Sequence, residues 1–341
     1  MTNYIISSLD LSKNNAGPKA RTDIDYFLKQ LGFKNLCSFN CQSRFWRHIQ
    51  KQRLIWHDIP QALKNLKGQD ATVFFQYPIY SKILMKKILK TAKKNVSRFY
   101  VIIHDLESLR IFKDRIGFQK FEVNFFNQTD GLIVHNERMK RALKQMGVNV
   151  PMISLEIFDY QNAVPLTVHK NHQGIAFAGN LAKAPFLEKW NLNQLINLYG
   201  PHKQLQYPQN VYYRGVFPPD QLSAHLNESF GLIWDGNGLD KCNGMYGEYL
   251  KYNNPHKASL YLSSGMPIIV WNQSALSDLV QKYHVGIAVE KLQDLDQILP
   301  QLSDEDYCKM QKNAMQLANR LRKGYFIKSA VEKLLKSKNK K

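Results

Sequence analysis

Short apolar runs alternate with helix-like stretches along most of this chain of 341 residues. The cores of runs such as RFYVIIHD and GLIVHN have no polar face, as in strands whose parallel sheet is covered by helices on both sides. Between the runs lie amphipathic stretches such as ERMKRALKQMG, whose apolar residues recur at helical spacing. A chain that repeats strand and helix in this way predicts an α/β fold with doubly wound parallel sheets.

The alternation breaks once, near the middle of the chain. Residues 156–172 contain a proline and several histidines and asparagines without any period, and they predict an interdomain linker. Residues 1–155 would then form an N-terminal domain and residues 173–321 a C-terminal domain of similar size. We expect the last segment, residues 322–341, to form a helix that packs back on the first domain. Sheets of this kind bind ligands beyond the carboxyl ends of their strands, so a cleft between two such domains is the expected site.

The chain is strongly basic, with a net charge of +20 from 47 basic and 27 acidic residues. Such a charge attracts anionic partners. Residues Lys82–Arg98 carry seven Lys or Arg residues and no acid. As a helix, this segment has a basic side and an apolar side, with Ile83 out of place. The basic side carries Lys82, Lys86, Lys90, Lys93 and Lys94, and the apolar side carries Leu84, Met85, Ile88, Leu89 and Ala92.

Basic amphipathic helices of this kind can lie on an anionic membrane surface. Arg44–Trp56, RFWRHIQKQRLIW, is a second basic stretch, rich in aromatic residues, in the same half of the chain. The alternative for both segments is an ordinary surface helix with its apolar side in the core. The sequence contains no recognised nucleic-acid-binding motif, so we expect no nucleic acid partner.

Composition also bounds where the protein works. The first residues lack the features of a signal peptide, and no apolar run approaches the ~20 residues of a spanning helix. The four cysteines suggest reduced thiols rather than disulfides or a metal site. These features predict a cytoplasmic protein that is peripheral at the inner face of the cell membrane, and they leave the oligomeric state open, a homo-oligomer included.

Polar residues follow the strands of the first domain. The loop LDLSKNNAGPKARTD enters a helix, and it offers Gly17 for close backbone approach and Lys19 and Arg21 as cations near a helix N-terminus. His104 and Asp105 follow the apolar strand at residues 98–103, and a carboxylate beside an imidazole can serve as a general base. The alternatives are solvated surface charges for the loop and a helix-capping Asp with a hydrogen-bonded His for the second pair.

The second domain opens with FAGNLAKAPF, in which Gly179, Asn180 and Lys183 follow a strand. Backbone amides and a lysine at such a turn suit a diphosphate. Asp235 ends a later strand in WDG, and a long loop rich in Gly, Asn and Tyr follows it.

That loop leads into YNNPHKASLYLSSGMPIIVW, residues 252–271. Here Asn254, His256 and Lys257 stand at the start of a helix that is otherwise apolar. Amide donors, an imidazole and a cation at a helix N-terminus are suited to an anionic ligand.

Five motifs of the chain point together to a known family. In order along the chain, they are AGPKARTD, IHDLESLR, FAGNLAK, GLIWDGN and GEYLKYNNPHKASLYLSSGMPIIVW. They resemble motifs of the bacterial β-1,6-galactofuranosyltransferases of O-antigen and exopolysaccharide synthesis, which belong to the GT-B superfamily. The chain is more distantly similar to the glucosyltransferases that extend glycans on serine-rich adhesins. Those enzymes share the GN turn with a following basic residue, here Lys183, and the Lys at the helix start, here Lys257.

The resemblance implies two Rossmann-like domains that face a central cleft, with a UDP-sugar bound mainly by the C-terminal one and no obligatory metal or other cofactor. It implies that Lys183 and Lys257 hold the diphosphate, assisted by Gly179, Asn180 and the amides near Ser259. The residues implied to line the nucleotide or sugar pocket are Asp235, Tyr252, Asn254 and His256.

A glycan acceptor, which can be lipid-linked, would enter near Gly17, Lys19, Arg21, His104 and Asp105. The implied reaction transfers galactofuranose with inversion, and we favour Asp105 as its base. One alternative is a UDP-glucose-dependent transferase that extends a glycan on a surface glycoprotein. Another is a partner subunit without catalytic activity in a transferase complex.

Overall fold

The protein divides into two compact units in its computed structural model. The first contains Gly17–Glu156 and the end of the chain from Phe326, and the second contains Ile157–Tyr325. Each unit is built on one six-stranded sheet whose neighbouring strands are all parallel. The structure describes residues 2–7, 16–37, 49, 52–79 and 81–337.

The first sheet has the strand order β2-β1-β3-β4-β5-β6. Its strands are Thr2–Ile6 (β1), Lys34–Cys37 (β2), Ala71–Tyr77 (β3), Arg98–Ile103 (β4), Gly131–Val134 (β5) and Met152–Ser154 (β6). Every residue of β3 is buried, as expected for a central strand covered on both faces. The chain moves outward in opposite directions from β1 and β3, so the topological switch point of this sheet lies between them.

The helices of the first unit up to β6 are Ala16–Lys29 (α1), Ile59–Lys64 (α2), Lys82–Asn95 (α3), Ile116–Asn127 (α4) and Glu137–Gln145 (α5). A turn of π-helix, Leu54–Asp58, leads into α2. Helix α3 confirms the predicted amphipathic segment, since its buried residues are Leu84, Met85, Ile88, Leu89 and Ala92. The lysines lie on the outer side of this helix, and Ile83 lies there with them.

The second sheet has the strand order β12-β11-β10-β7-β8-β9. Its strands are Ile175–Ala178 (β7), Ile196–Tyr199 (β8), Val211–Gly215 (β9), Phe230–Ile233 (β10), Ile268–Trp271 (β11) and Gly286–Val289 (β12). The chain leaves β7 for β8 and β9 on one side and returns to β10 on the other. The switch point of this sheet therefore lies between β7 and β10.

The remaining helices are Pro219–Leu222 (α6), Gly244–Tyr249 (α7), His256–Ser263 (α8), Leu276–Tyr283 (α9), Leu295–Gln301 (α10), Asp304–Leu321 (α11) and Tyr325–Lys336 (α12). Helix α8 is fixed on the second sheet by Tyr261. A Cβ on Gly231 of β10 would lie 2.2 Å from the Tyr261 ring, so only glycine admits the ring there. The Tyr261 hydroxyl also accepts the backbone N–H of Ala178 at 2.6 Å.

Helix α12, at the end of the described chain, packs on the first sheet. Leu334 is fully buried, and a Cβ on Gly131 at the start of β5 would lie 2.9 Å from it. The guanidinium group of Arg98 donates to the backbone oxygen of Leu335 at 3.5 Å. No helix in the described part of the chain is both long enough and apolar enough to cross a membrane.

Several sequence-based boundaries were wrong. Strands β2, β6 and β8 were missed, and the loop after β10 contains the short helix α7. Gly17, Lys19 and Arg21 were assigned to a loop but lie in α1, which begins at Ala16. Most of Arg44–Trp56 lies outside the described residues, as do the last four lysine-rich residues of the chain.

Candidate active site

The loops that follow β7 and β8 pass very close to each other. The N–H of Gly179 donates to the backbone oxygen of Tyr199 at 2.9 Å. A Cβ on Gly200 would lie only 1.8 Å from the oxygen of Gly179, so this approach requires glycine at position 200. A Cβ on Gly179 would meet nothing within 4 Å, although its φ of +148° favours glycine. The open space beside Gly179 lets a ligand approach the backbone there.

Lys183 stands at the end of the turn that follows β7. The Asn180 side chain forms this turn, because its oxygen accepts the N–H of Ala182 at 3.0 Å. The ammonium of Lys183 lies over the ring of Tyr246, 4.2 Å from its centroid. The backbone oxygen of Lys183 accepts the N–H of Gly236 at 3.3 Å, which ties the β7 turn to the loop after β10.

Lys257, in the first turn of α8, contacts the ends of the same two strands, β7 and β10. Its ammonium donates to a carboxylate oxygen of Asp235 at 3.0 Å and to the backbone oxygen of Trp234 at 3.1 Å. It also lies 4.5 Å from the centroid of the Phe177 ring in β7. The side chains of Lys257 and Asp235 are 13% and 17% exposed, so this is a largely buried ion pair with one open side. The sequence analysis predicted Lys257 and Asp235 as separate site residues, and the structure shows that they form an ion pair.

The other predicted residues around α8 have different surroundings. The imidazole ring of His256 packs against the ring of Tyr160, with centroids 5.0 Å apart. The hydroxyl of Ser259 donates to the backbone oxygen of Phe158 at 2.7 Å, so it supports the helix start from inside. Asn254 is buried and Tyr252 is half-buried.

The sequence missed the aromatic residues of this site. Phe158 and Tyr160 fall inside the predicted linker, yet both are buried in the second unit. The sequence also gave Tyr246 no role. Only the composition of these segments could have indicated them. The segment FDY and the loop after β10 both place aromatic rings among polar residues.

In the first unit, the predicted cations Lys19 and Arg21 are both buried. The guanidinium of Arg21 donates to the backbone oxygens of Gln76 and Pro78, each at 2.9 Å. The ammonium of Lys19 pairs with Asp23 at 2.6 Å within α1. The contacts of Arg21 fix α1 against the end of β3, whereas the Lys19 pair stays within the helix. A ligand-binding role for either cation stays a prediction.

A buried polar network lies at the switch point between β1 and β3. The amide nitrogen of Gln76 donates to Asp25 at 2.7 Å and to the hydroxyl of Ser7 at 2.9 Å. Ser7 donates in turn to the same oxygen of Asp25 at 2.5 Å. Burial raises the pKa of Asp25 to about 6, although the two hydrogen bonds and the nearby Arg21 oppose this rise.

This network determines which nitrogen of His104 carries a hydrogen. The amide oxygen of Gln76 lies 2.6 Å from Nε2 of His104, and an amide oxygen can only accept. Nε2 therefore carries the hydrogen, and Nδ1 is the basic nitrogen of the neutral ring. Asp105, the favoured base, instead forms an ion pair with Arg110 at 3.0 Å. Arg110 also contacts Glu107.

Among the described residues, no group of three or more His, Cys, Asp or Glu side chains could hold a metal ion. That observation does not test the prediction of a metal-independent reaction, which remains an expectation.

Solved structures of glycosyltransferases share this fold. The sucrose-phosphate synthase of Thermosynechococcus elongatus superposes with a TM-score of 0.67 at 11% identity and covers 98% of both chains. The trehalose-6-phosphate synthase OtsA gives a TM-score of 0.60 at 10% identity and covers 98% of this chain and 99% of its own. These likenesses show that the chain has the two-domain fold of the GT-B class.

Two sequence models give the family. The N-terminal domain of the Glucosyltransferase 3-like family matches residues 2–157, and its C-terminal domain matches residues 175–334. The chain belongs to the Glucosyltransferase 3-like family.

Curated relatives include both families predicted from the motifs. The β-1,6-galactofuranosyltransferase WbbI of Escherichia coli is 25% identical over 97% of this chain and 98% of its own. Glucosyltransferase 3 of Streptococcus gordonii is 24% identical over 92% of each chain. These relatives confirm the resemblance predicted from the motifs and the assignment of the chain to the glycosyltransferases.

Proposed function

We propose that this enzyme transfers a hexose from a uridine diphosphate sugar to a hydroxyl group of a glycan acceptor, and that the hexose is galactofuranose. The choice of sugar rests on the motifs described above and on the relative that is named a β-1,6-galactofuranosyltransferase. The transfer inverts the anomeric centre and needs no metal ion. The acceptor is a cell-surface polysaccharide under assembly, carried on a lipid or free.

The observation that carries this proposal is the meeting of three predicted residues at one switch point. Lys183 follows β7, Asp235 follows β10, and Lys257 joins them through contacts of 3.0 Å with Asp235 and 4.5 Å with a ring of β7. Open parallel sheets bind their ligands at this position. Two cations and an accessible backbone at Gly179 suit a diphosphate there.

The two lysines have separable roles in the proposed reaction. As the bond between sugar and diphosphate breaks, negative charge grows on the leaving phosphate, and fixed cations stabilise it. Two hydrogen bonds hold the Lys257 ammonium in place before the donor arrives, and an ammonium has a third N–H that could donate to the diphosphate. Lys183, held over the Tyr246 ring, approaches the diphosphate from the β7 turn.

Glucose is the second candidate for the transferred sugar. The family match and the relative named Glucosyltransferase 3 favour it, with a glycan on a surface glycoprotein as acceptor. The two sugars differ in ring size and in the positions of their hydroxyl groups. A few polar contacts therefore decide between them.

An inverting transfer needs a base for the acceptor hydroxyl, and we assign this role to His104 rather than Asp105. The carboxylate of Asp105 would have to release Arg110, 3.0 Å away, before it could take up a proton. His104 is instead held by Gln76 with Nδ1 as its basic nitrogen. An imidazole is the commonest general base near neutral pH.

The first test measures UDP release from three donors with simple glycosides as acceptors. The donors are UDP-galactofuranose generated in situ, UDP-glucose and UDP-galactopyranose. We expect turnover with the furanose donor alone. Replacing Lys257 by Ala should lower kcat/KM by about 10²- to 10³-fold, because one fixed cation at the leaving group is lost.

Lys312→Ala is the matched control, since Lys312 is an exposed lysine of α11 in the same unit. It should leave turnover unchanged. Turnover with UDP-glucose alone would overturn the galactofuranose assignment and leave the donor site in place. UDP binding without turnover of any donor would instead favour a partner subunit without catalytic activity.

A further inference from the structure

Ile83, the residue that did not fit the amphipathic pattern of α3, is one of three exposed isoleucines in residues 83–116 of the first unit. Ile83 is 64% exposed. Ile111 and Ile116, in and after the loop that follows β4, are 45% and 68% exposed. Single exposed isoleucines are ordinary on a protein surface, but several of them on neighbouring basic segments point to a partner.

One aromatic cluster links the segments that carry these isoleucines. The rings of Phe112 and Phe118 lie 4.3 Å apart, and Phe118 contacts Phe121 at 5.9 Å. The ammonium of Lys82 lies 4.4 Å from the centroid of Phe118, so the start of α3 adjoins this cluster. Two isoleucines are close in sequence to its members, since Ile111 precedes Phe112 and Ile116 is two residues before Phe118. Ile83 follows Lys82, which contacts the cluster.

The segments that carry the isoleucines also carry cations. Lys86 lies 5.8 Å from the Phe121 ring, and Arg115 lies 5.1 Å from the Phe112 ring. Farther along α3, Lys90, Lys93 and Lys94 are exposed. The helix itself contains no acid, and Asp114 is the one acid among the exposed residues of 109–120. Positive charge near exposed aliphatic side chains is complementary to a lipid bilayer, which has anionic headgroups above an apolar interior.

We propose that this surface of the first unit, formed by the start of α3 and residues 111–118, docks on an anionic lipid bilayer. The lysines would contact the headgroups, and Ile83, Ile111 and Ile116 would insert below them. Lysine stems can lie along the apolar boundary while their ammonium groups stay in the headgroup layer. The proposal goes beyond the transferase reaction and does not depend on which sugar is transferred.

The experiment sediments the full-length protein with vesicles of phosphatidylcholine, with and without phosphatidylglycerol. We expect binding to the anionic vesicles alone, and weaker binding as salt is added. The double variant Ile83→Ser/Ile116→Ser should reduce binding by about tenfold or more, because two inserted side chains are lost. The matched control is the double variant Val168→Ser/Leu205→Ser in the second unit. The side chains of Val168 and Leu205 are 74% and 104% exposed.

UDP release with a soluble acceptor accompanies each binding measurement, and both double variants should retain it. The proposal is overturned if the wild-type protein stays in solution with anionic vesicles at low salt. Equal binding by the two double variants would also overturn it, since the isoleucines would then not be the point of insertion. Retention on a DNA or heparin column without vesicle binding would assign the basic surface to a soluble polyanion instead.

Discussion

The two switch points of this protein use the same kind of parallel sheet in different ways. Between β7 and β10, Lys183, Asp235 and Lys257 meet at the strand ends and keep one side open. Between β1 and β3, the cations Lys19 and Arg21 are buried and bound within the protein. The second unit thus keeps part of its charge accessible at the strand ends, whereas the first unit uses its charge to fix a helix.

The difference follows from the position of each cation on its helix. Lys257 lies in the first turn of α8, next to the strand ends, where its ammonium can reach both the sheet and an incoming anion. Arg21 lies farther along α1, and its guanidinium reaches back to backbone oxygens of Gln76 and Pro78. Buried charges need such partners. Instead of an accessible cation, the switch point of the first unit holds a polar network of Ser7, Asp25 and Gln76 that ends at His104.

The largest expected effect tests this division of roles directly. His104→Ala should lower kcat for transfer by about 10²- to 10⁴-fold, because the proposed base is removed. Binding of UDP, measured by calorimetry, should remain unchanged, since the cations of the second unit are intact. Asp105→Asn should cost much less than His104→Ala. The reverse order would return the base to Asp105.

A second variant tests whether Gln76 positions the imidazole of His104. Gln76→Leu removes the acceptor of the His104 hydrogen at 2.6 Å without touching the imidazole. We expect a lower kcat with little change in the donor KM, and an altered pH profile because both ring nitrogens become equivalent candidates for the proton. An unchanged pH profile would mean that the network has only a structural role.

The second effect compares two glycines of the second unit. Gly200→Ala should destabilise the protein by about 4 kcal/mol or more, because its Cβ would lie 1.8 Å from a backbone oxygen and the two loops would have to separate. Gly179→Ala meets only the strain of its φ of +148°, about 1–3 kcal/mol. Urea unfolding curves of the two variants measure the difference.

Gly179→Ala should nevertheless raise the donor KM, because its methyl group would occupy the open space proposed for the diphosphate. If Gly179→Ala bound and turned over the donor as the wild type does, the backbone at Gly179 would not contact the ligand. The comparison thus separates a glycine needed for packing from a glycine needed for binding.

The sequence predicted the alternation, and through it the parallel sheets, because buried strands such as β4 are apolar on both faces. It missed β2, whose residues are half-buried or exposed, and β6, which has three residues. It also missed β8, where the polar residue Asn197 interrupts the apolar pattern of a buried strand. Asn197 is satisfied there by Glu228 at 2.6 Å, a partner that pattern alone does not reveal.

The sequence analysis predicted individual residues of the candidate site but did not predict which of them contact each other. Lys183, Asp235 and Lys257 were each predicted from their place after a strand or at a helix start. Their meeting depends on β7 and β10 being neighbours, which strand order decides and spacing along the chain does not show. Gln76 was missed altogether, because a polar residue inside an apolar strand carries no signal of its partners.

The smallest expected effect concerns the acid that closes the network of the first unit. Because burial raises the pKa of Asp25 to about 6 from its ordinary 3.8, the folded protein holds a proton that the unfolded chain has released between these values. The resulting stabilisation is present below pH 3.8 and is lost as pH rises through 6. Asp25→Asn cannot titrate, so the wild type should lose stability relative to this variant across that range, by on the order of 2–3 kcal/mol. Urea unfolding at pH 4, 5, 6 and 7 measures the difference, and parallel stability curves would mean that Asp25 is solvated rather than part of a closed network.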